Sequence, residues 1–80
     1  MSEMHDMLPV KIDAATTAGM TYIKYVQLGS STNDNEANCS ILRINESVAD
    51  ITEIGWANGD KLFNNAWADR ATITYLPLIR

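Results

Sequence analysis

The segment spanning residues 20–28 is the strongest constraint on this fold, because it carries apolar side chains on both faces of a predicted strand. Its β-favouring residues are Tyr22, Ile23, Tyr25 and Val26. A strand with one face in water alternates apolar and polar residues more regularly. We therefore expect both faces of this strand to be covered, either by the domain itself or by a partner.

Shorter segments along the chain also favour extended backbone, and we predict strands at residues 8–12, 39–45, 50–56 and 71–76. Pro9 has no N–H to donate, so the first strand should lie at an edge. The polar residues at 29–38 predict a loop, and residues 46–49 are predicted to form a turn or short hairpin connection. Neighbouring strands with short connections favour an antiparallel arrangement. The expected fold is mostly β, with four to five strands in a small meander, sandwich or partly open barrel.

One segment departs from strand periodicity. Asn58-Gly59 is a strong turn signal. The apolar residues that follow have helical spacing, and they are Leu62, Phe63, Ala66 and Trp67. Asp60 is a candidate N-cap. This pattern predicts one short helix at residues 61–69, before the last strand.

Eighty residues correspond to one small domain, which we place at residues 8–80 after a flexible arm at residues 1–7. Such a domain gains little stability from its core alone. A disulfide within the chain is excluded, because Cys39 is the only cysteine. Cys39 and His5 are too few soft ligands for zinc, so no cofactor is expected. Self-association or docking on a larger assembly remains as the source of added stability.

The sequence argues against nucleic acids and membranes as partners. The net charge is −4, and the six basic residues are scattered singly. Nucleic-acid binding requires a positive surface, so a nucleic-acid partner is not expected. The sequence has no apolar run of about 18 residues that would cross a bilayer. The arm also lacks the pattern of a secretory signal. We therefore expect a protein partner and no membrane association.

We expect no catalytic activity. Cys39 and His5 are the only thiol–imidazole pair, and the cysteine is more typical of a small apolar core residue. Asp60 and Asp69 fit capping or solvated positions better than acid–base chemistry. The segment 33–36 is rich in oxygen ligands but lacks the spacing of an EF-hand.

Two tryptophans and an arginine lie within 15 residues, and such side chains are enriched in binding hot spots. In the alternative interpretation Trp56, Phe63 and Trp67 hold the core. Arg70 is then stacked on a ring or paired with Asp60 or Asp69. A third possibility is a sugar-binding platform. The candidate contact residues are Tyr22, Tyr25, Asn33, Asp34, Asn35, Trp56, Trp67 and Arg70. We also expect residues 1–12 and the asparagine-rich loop at 29–38 to reach neighbouring subunits.

Three motifs occur in a fixed order. They are Thr-Tyr-Ile-Lys-Tyr at 21–25, Gly-Trp-Ala-Asn-Gly-Asp at 55–60, and Trp-Ala-Asp-Arg-Ala at 67–71. This order resembles that of small accessory structural proteins of tailed bacteriophages. The resemblance implies a component of the virion, assembled in the host cytoplasm, that contacts capsid or tail subunits. Capsid decoration or cement, and a neck or tail position, are its possible roles.

Two other functions remain open. One is a phage-encoded inhibitor of a host defence protein or enzyme, although the modest negative charge makes a poor mimic of nucleic acid. The other is a carbohydrate-binding module of a tail fibre.

Overall fold

A computed structural model describes residues 7–29 and 33–77 of this chain. Its strands are β1 (Met7–Asp13), β2 (Met20–Gln27), β3 (Ala37–Val48), β4 (Ile51–Ala57), β5 (Asn65–Ala66) and β6 (Tyr75–Leu76), and one 3-10 turn spans Trp67–Asp69. The predicted fold class is confirmed, since the chain is mostly β and the sheet is antiparallel and open. Most of the predicted N-terminal arm, residues 1–6, lies outside the described residues.

The sheet is a meander in which β1, β2, β3 and β4 are hydrogen-bonded in sequence order. The two short strands extend it, with β6 pairing with β4 and β5 pairing with β3. Pro9 lies in β1 at one edge of the sheet, as its missing N–H requires. The register of β1 against β2 shifts between Pro9 and Lys11, which marks a β-bulge.

The predicted helix at residues 61–69 is reduced to the single 3-10 turn. Asn65 instead pairs with Cys39 in the sheet, and its buried side chain donates to the Cys39 carbonyl at 3.2 Å. Asp60 does not begin a helix, since residues 61–64 are not helical. Its carboxylate accepts the Leu62 N–H at 3.0 Å and closes a local turn. Pairing with the sheet therefore prevails over the helical spacing of the apolar residues.

Two other predicted boundaries differ. The strand predicted at residues 71–76 is only Tyr75–Leu76, because the Thr72 N–H donates to the Asp69 carbonyl at 2.9 Å and closes a turn. The connection predicted at residues 46–49 moves towards the C-terminus, because β3 continues to Val48 and pairs there with Ile51. Asp50, in the resulting two-residue loop, has a φ of 65°, and aspartate tolerates this left-handed conformation.

The core lies on one face of the sheet, which we call the covered face. Its buried apolar residues are Tyr22, Val26, Cys39, Ile41, Ala57, Trp67 and Tyr75. Trp67 belongs to the segment between β4 and β6, so this connection supplies part of the cover. On the covered face of β2, Tyr22, Lys24 and Val26 are buried. The side chains of its other face at positions 21, 23 and 25 are half-buried. We expected both faces of this strand to be covered. Within the described residues the domain itself covers one face, and the other face is only partly buried.

Candidate functional site

The opposite side of the sheet carries a continuous apolar surface, which we call the open face. Its members are Ile12, Ile23, Tyr25, Leu42, Ile44, Ile54, Trp56 and Leu76. Five of them stand directly opposite one another on adjacent strands, in the order Ile12, Ile23, Leu42, Trp56, Leu76. Directly opposite residues project from the same side of a sheet. They therefore form one apolar row across β1, β2, β3, β4 and β6.

The open face is accessible and large for a chain of this size. Ile12 is 70% exposed, Ile54 is 60% exposed and Leu76 is 41% exposed. The four longer strands at about 4.8 Å spacing, each contributing about six residues, and the two residues of β6 give a surface of roughly 400 Å². This lies within the range for the largest apolar patch on a typical monomer, and such patches commonly mark interaction sites.

An aromatic pair stands on this face. The rings of Tyr25 on β2 and Trp56 on β4 have centroids 5.6 Å apart and an interplanar angle of 40°. They meet across β3, where the fully buried Ser40 lies directly opposite Tyr25. A small residue at this position leaves room for the two rings. The Lys61 ammonium lies 5.5 Å from the centroid of the Trp56 ring, within cation–π distance.

The two tryptophans have different environments. Trp67 is 5% exposed and belongs to the core. Trp56 is half-buried on the open face, and Phe63 is half-buried outside the core cluster. The interpretation in which all three residues hold the core is therefore correct for Trp67 alone.

Tyr22 is also in the core, with its ring centroid 5.8 Å from that of Tyr75. The side chains of Tyr22 and Trp67 are not presented to a partner.

Arg70 is used within the fold. Its guanidinium lies 4.6 Å from the centroid of the Trp67 ring, as expected for stacking. Its Nε donates to Asp13 at 2.8 Å and its Nη2 donates to Thr16 at 3.2 Å. The carboxylate partner is therefore on β1, and is neither Asp60 nor Asp69. Hydrogen bonds from Thr16 and from the Ala15 N–H, together with that from Arg70, hold the pKa of Asp13 well below its usual range.

The asparagine-rich loop is fixed to the fold through Asp34. One carboxylate oxygen accepts from Lys24 at 2.9 Å, and the other accepts from Lys11. These two ammonium groups, with Lys11 the stronger influence, lower the pKa of Asp34. Asn33 and Asn35 are exposed, and Asn33 accepts the Asn35 N–H at 2.9 Å.

The remaining reactive group on the described strands is a thiol. Cys39 is fully buried and donates to the Asn65 carbonyl at 2.9 Å, and burial raises its pKa. His5 lies outside the described residues. Within residues 7–29 and 33–77, no group of three or more His, Cys, Asp or Glu side chains could hold a metal ion. No helix in the same ranges has the length and apolar character needed to cross a membrane.

Sequence reasoning placed Tyr25 and Trp56 among the contact residues but missed Ile12, Ile54 and Leu76. The one indication in the sequence that an apolar surface of this kind exists was the apolar character of both faces of the segment at 20–28. Assigning their positions required the strand register, which the sequence did not supply. In comparisons with known proteins, no family model, no curated protein and no solved structure matches this chain.

Proposed function

We propose that this chain is a non-catalytic protein that works by assembly, with the open face as its docking surface. The single observation that carries the proposal is the apolar row from Ile12 to Leu76, which crosses five strands and leaves both of its ends exposed. Burying such a surface gives about 25 cal/mol for each Å² of apolar area removed from water. Tyr25 and Trp56 would supply the rigid aromatic contacts that interface hot spots favour.

We further propose that the assembly is a tailed-phage particle, in which the chain is a capsid decoration or cement subunit or a small neck or tail component. This step rests on the sequence resemblance. Its motif at 55–60 includes Trp56 and the Asn58-Gly59 turn. Both residues of the turn have positive φ, 60° and 76°, which explains the Asn-Gly pair structurally. Trp56 lies on the open face, so this motif includes one residue of the proposed docking surface.

The test is mass spectrometry of purified particles from the source, with the copy number of this chain per particle. Hundreds of copies would indicate a capsid lattice protein, and a dozen or fewer would indicate the neck or tail. Particles assembled with an Ile54→Glu chain should carry it at reduced copy number, because a charge then stands on the docking surface. Absence of the wild-type chain from particles, while it is abundant in infected cells, would contradict the particle assignment and favour the host-inhibitor function.

A carbohydrate-binding function is the second candidate, and the Tyr25–Trp56 pair on the open face favours it. A flat aromatic ring can stack on a pyranose beside polar groups. Titration with cell-surface glycans should then shift the tryptophan fluorescence of the wild-type chain, and Trp56→Ala should abolish the shift. An unchanged spectrum would contradict the carbohydrate function and leave the protein-assembly proposal unaffected.

A further inference from the structure

We propose that the occupant of the open face is a second copy of this chain, so that two sheets pack face to face in a symmetric dimer. The inference rests on the proposed function, because it names the partner of that docking surface. In such a dimer each chain contributes one sheet of a two-layer sandwich, a common arrangement for sheets with one apolar face. Each chain's own covered face remains turned outwards, with its loops.

The area of the open face suits a weak dimer. Two surfaces of roughly 400 Å² each would bury about 800 Å² in total, which is below the size of stable interfaces and typical of weak, transient ones. A second copy presents the same open face and therefore matches it in size and outline.

The row is suited to pairing with itself. Leu42 on β3 is the third of its five members, so a two-fold axis through Leu42 would place the rows of both chains against each other. None of the five members is charged, although the chain carries −4 overall. Two nearby carboxylates are held by ion pairs within the chain, since Asp13 pairs with Arg70 and Asp34 pairs with Lys24. The sheet also carries Glu46 on β3 and Glu53 on β4, and neither is a member of the row. Pairing of two copies therefore brings no like charges of the row together.

Lys61 adds a polar group at the margin of this surface, through its contact with the Trp56 ring. An apolar centre with a polar margin is the usual arrangement of a protein interface. In a symmetric dimer both chains contribute the same surface, each with its apolar centre and polar margin. A dimer therefore needs no different protein with an uncharged surface of matching size. The shared surface would also give each small chain stability that its own core cannot supply.

Sedimentation equilibrium of the full chain tests this proposal over concentrations from about 1 μM to about 1 mM, a range that covers weak and moderate dimers. The average mass should rise from 8.9 kDa towards twice that value. The test variant is Ile54→Glu, and the matched control is Ile51→Glu. The two isoleucines lie on β4 with exposures of 60% and 55%. Because they are three residues apart on one strand, they project from opposite faces.

Ile54→Glu should raise the dimer dissociation constant by at least about tenfold, whereas Ile51→Glu should change it by less than about threefold. Far-UV circular dichroism checks that both variants are folded. A wild-type chain that stays monomeric at about 1 mM, or equal weakening by the two substitutions, would overturn the dimer.

Particle incorporation separates failure of the dimer from failure of the proposed function. A monomeric wild-type chain whose Ile54→Glu variant is nevertheless lost from particles would overturn the dimer and keep the docking function. A dimer that is sensitive to Ile54→Glu in a chain absent from particles would uphold the dimer and overturn the particle assignment.

Discussion

The carboxylate of Asp34 lies 2.9 Å from the fully buried ammonium of Lys24, so a half-exposed loop residue neutralises a charge inside the sheet. The Asp34 carbonyl also accepts the Ala68 N–H at 2.9 Å. Asp34 thus connects its loop to β2 through the side chain and to the 3-10 turn through the backbone. Two segments that are far apart in sequence are fixed together by this one residue.

A double-mutant cycle at Lys24 and Asp34 should show strong coupling. Asp34→Ala removes the neutralising carboxylate and should lower the urea midpoint. Lys24→Met replaces the buried ammonium by an apolar group of similar length, which is often tolerated at buried ion pairs. The loss caused by Asp34→Ala should therefore be smaller in the Lys24→Met background. Equal losses in both backgrounds would show that the two residues do not interact energetically.

Acid should destabilise the fold through Asp13 and Asp34. The pKa of each carboxyl is lower in the folded state than its ordinary value, so protonation is costlier in the folded than in the unfolded chain. Their contribution is present above about pH 4, near the ordinary aspartate pKa, and is lost as the pH falls through the folded-state values. Urea midpoints at stepwise lower pH should fall for the wild type and fall less for Asp13→Asn and Asp34→Asn. Parallel curves for the three proteins would contradict this prediction.

The two tryptophans should respond differently to truncation. Trp67→Ala removes a core ring and should cost about 3–5 kcal/mol, which can unfold a domain this small. Trp56→Ala removes a half-buried ring and should cost less stability while weakening the dimer. Urea unfolding measures the first effect, and sedimentation at a concentration where the variant is folded measures the second. A larger loss of stability from Trp56→Ala than from Trp67→Ala would contradict the assignment of faces.

Gly19 and Gly29 have similar backbone conformations but different surroundings, so their alanine variants can be compared. Both have positive φ, 76° and 84°. A Cβ at Gly19 would lie 2.8 Å from the Ser47 Cα, whereas one at Gly29 would meet nothing within 4 Å. Gly29→Ala should cost about 1–2 kcal/mol from the left-handed conformation. Gly19→Ala should cost more, because backbone must also move. Equal unfolding free energies for the two variants would show that the Ser47 contact relaxes freely.

Much of the sheet was predictable from local chemistry. The strand at 20–28 was placed to within one residue, because β-favouring side chains are concentrated at its centre. The edge position of β1 followed from Pro9 alone. The Asn58-Gly59 turn was equally readable, since its two positive φ values suit these residues. These features depend on neighbours in sequence, which is why sequence reasoning found them.

Other features depend on distant contacts. The helix predicted at 61–69 failed because Asn65 pairs with Cys39, 26 residues away. Lys24 gave no signal of burial, since its partner Asp34 lies in a loop that sequence reasoning treated as a contact site. The open face required the register of five strands, and a shift by one residue in any strand would have moved its side chains to the other face.

The bulge beside Pro9 also affects whether copies of this chain can add to one another edge to edge. Sheets grow sideways into fibrils when an edge strand offers a regular line of free N–H and C=O groups. At one edge, Pro9 lacks a donor and the bulge breaks the line. At the other edge, β6 pairs only with Trp56 and Ala57, and no described strand pairs with residues 51–55 of β4 on that side. Continued lateral growth needs two regular edges on each molecule, and the edge at β1 does not supply one. In the proposed dimer, contact through the open face closes after two molecules, so association through that face does not lead to fibrils.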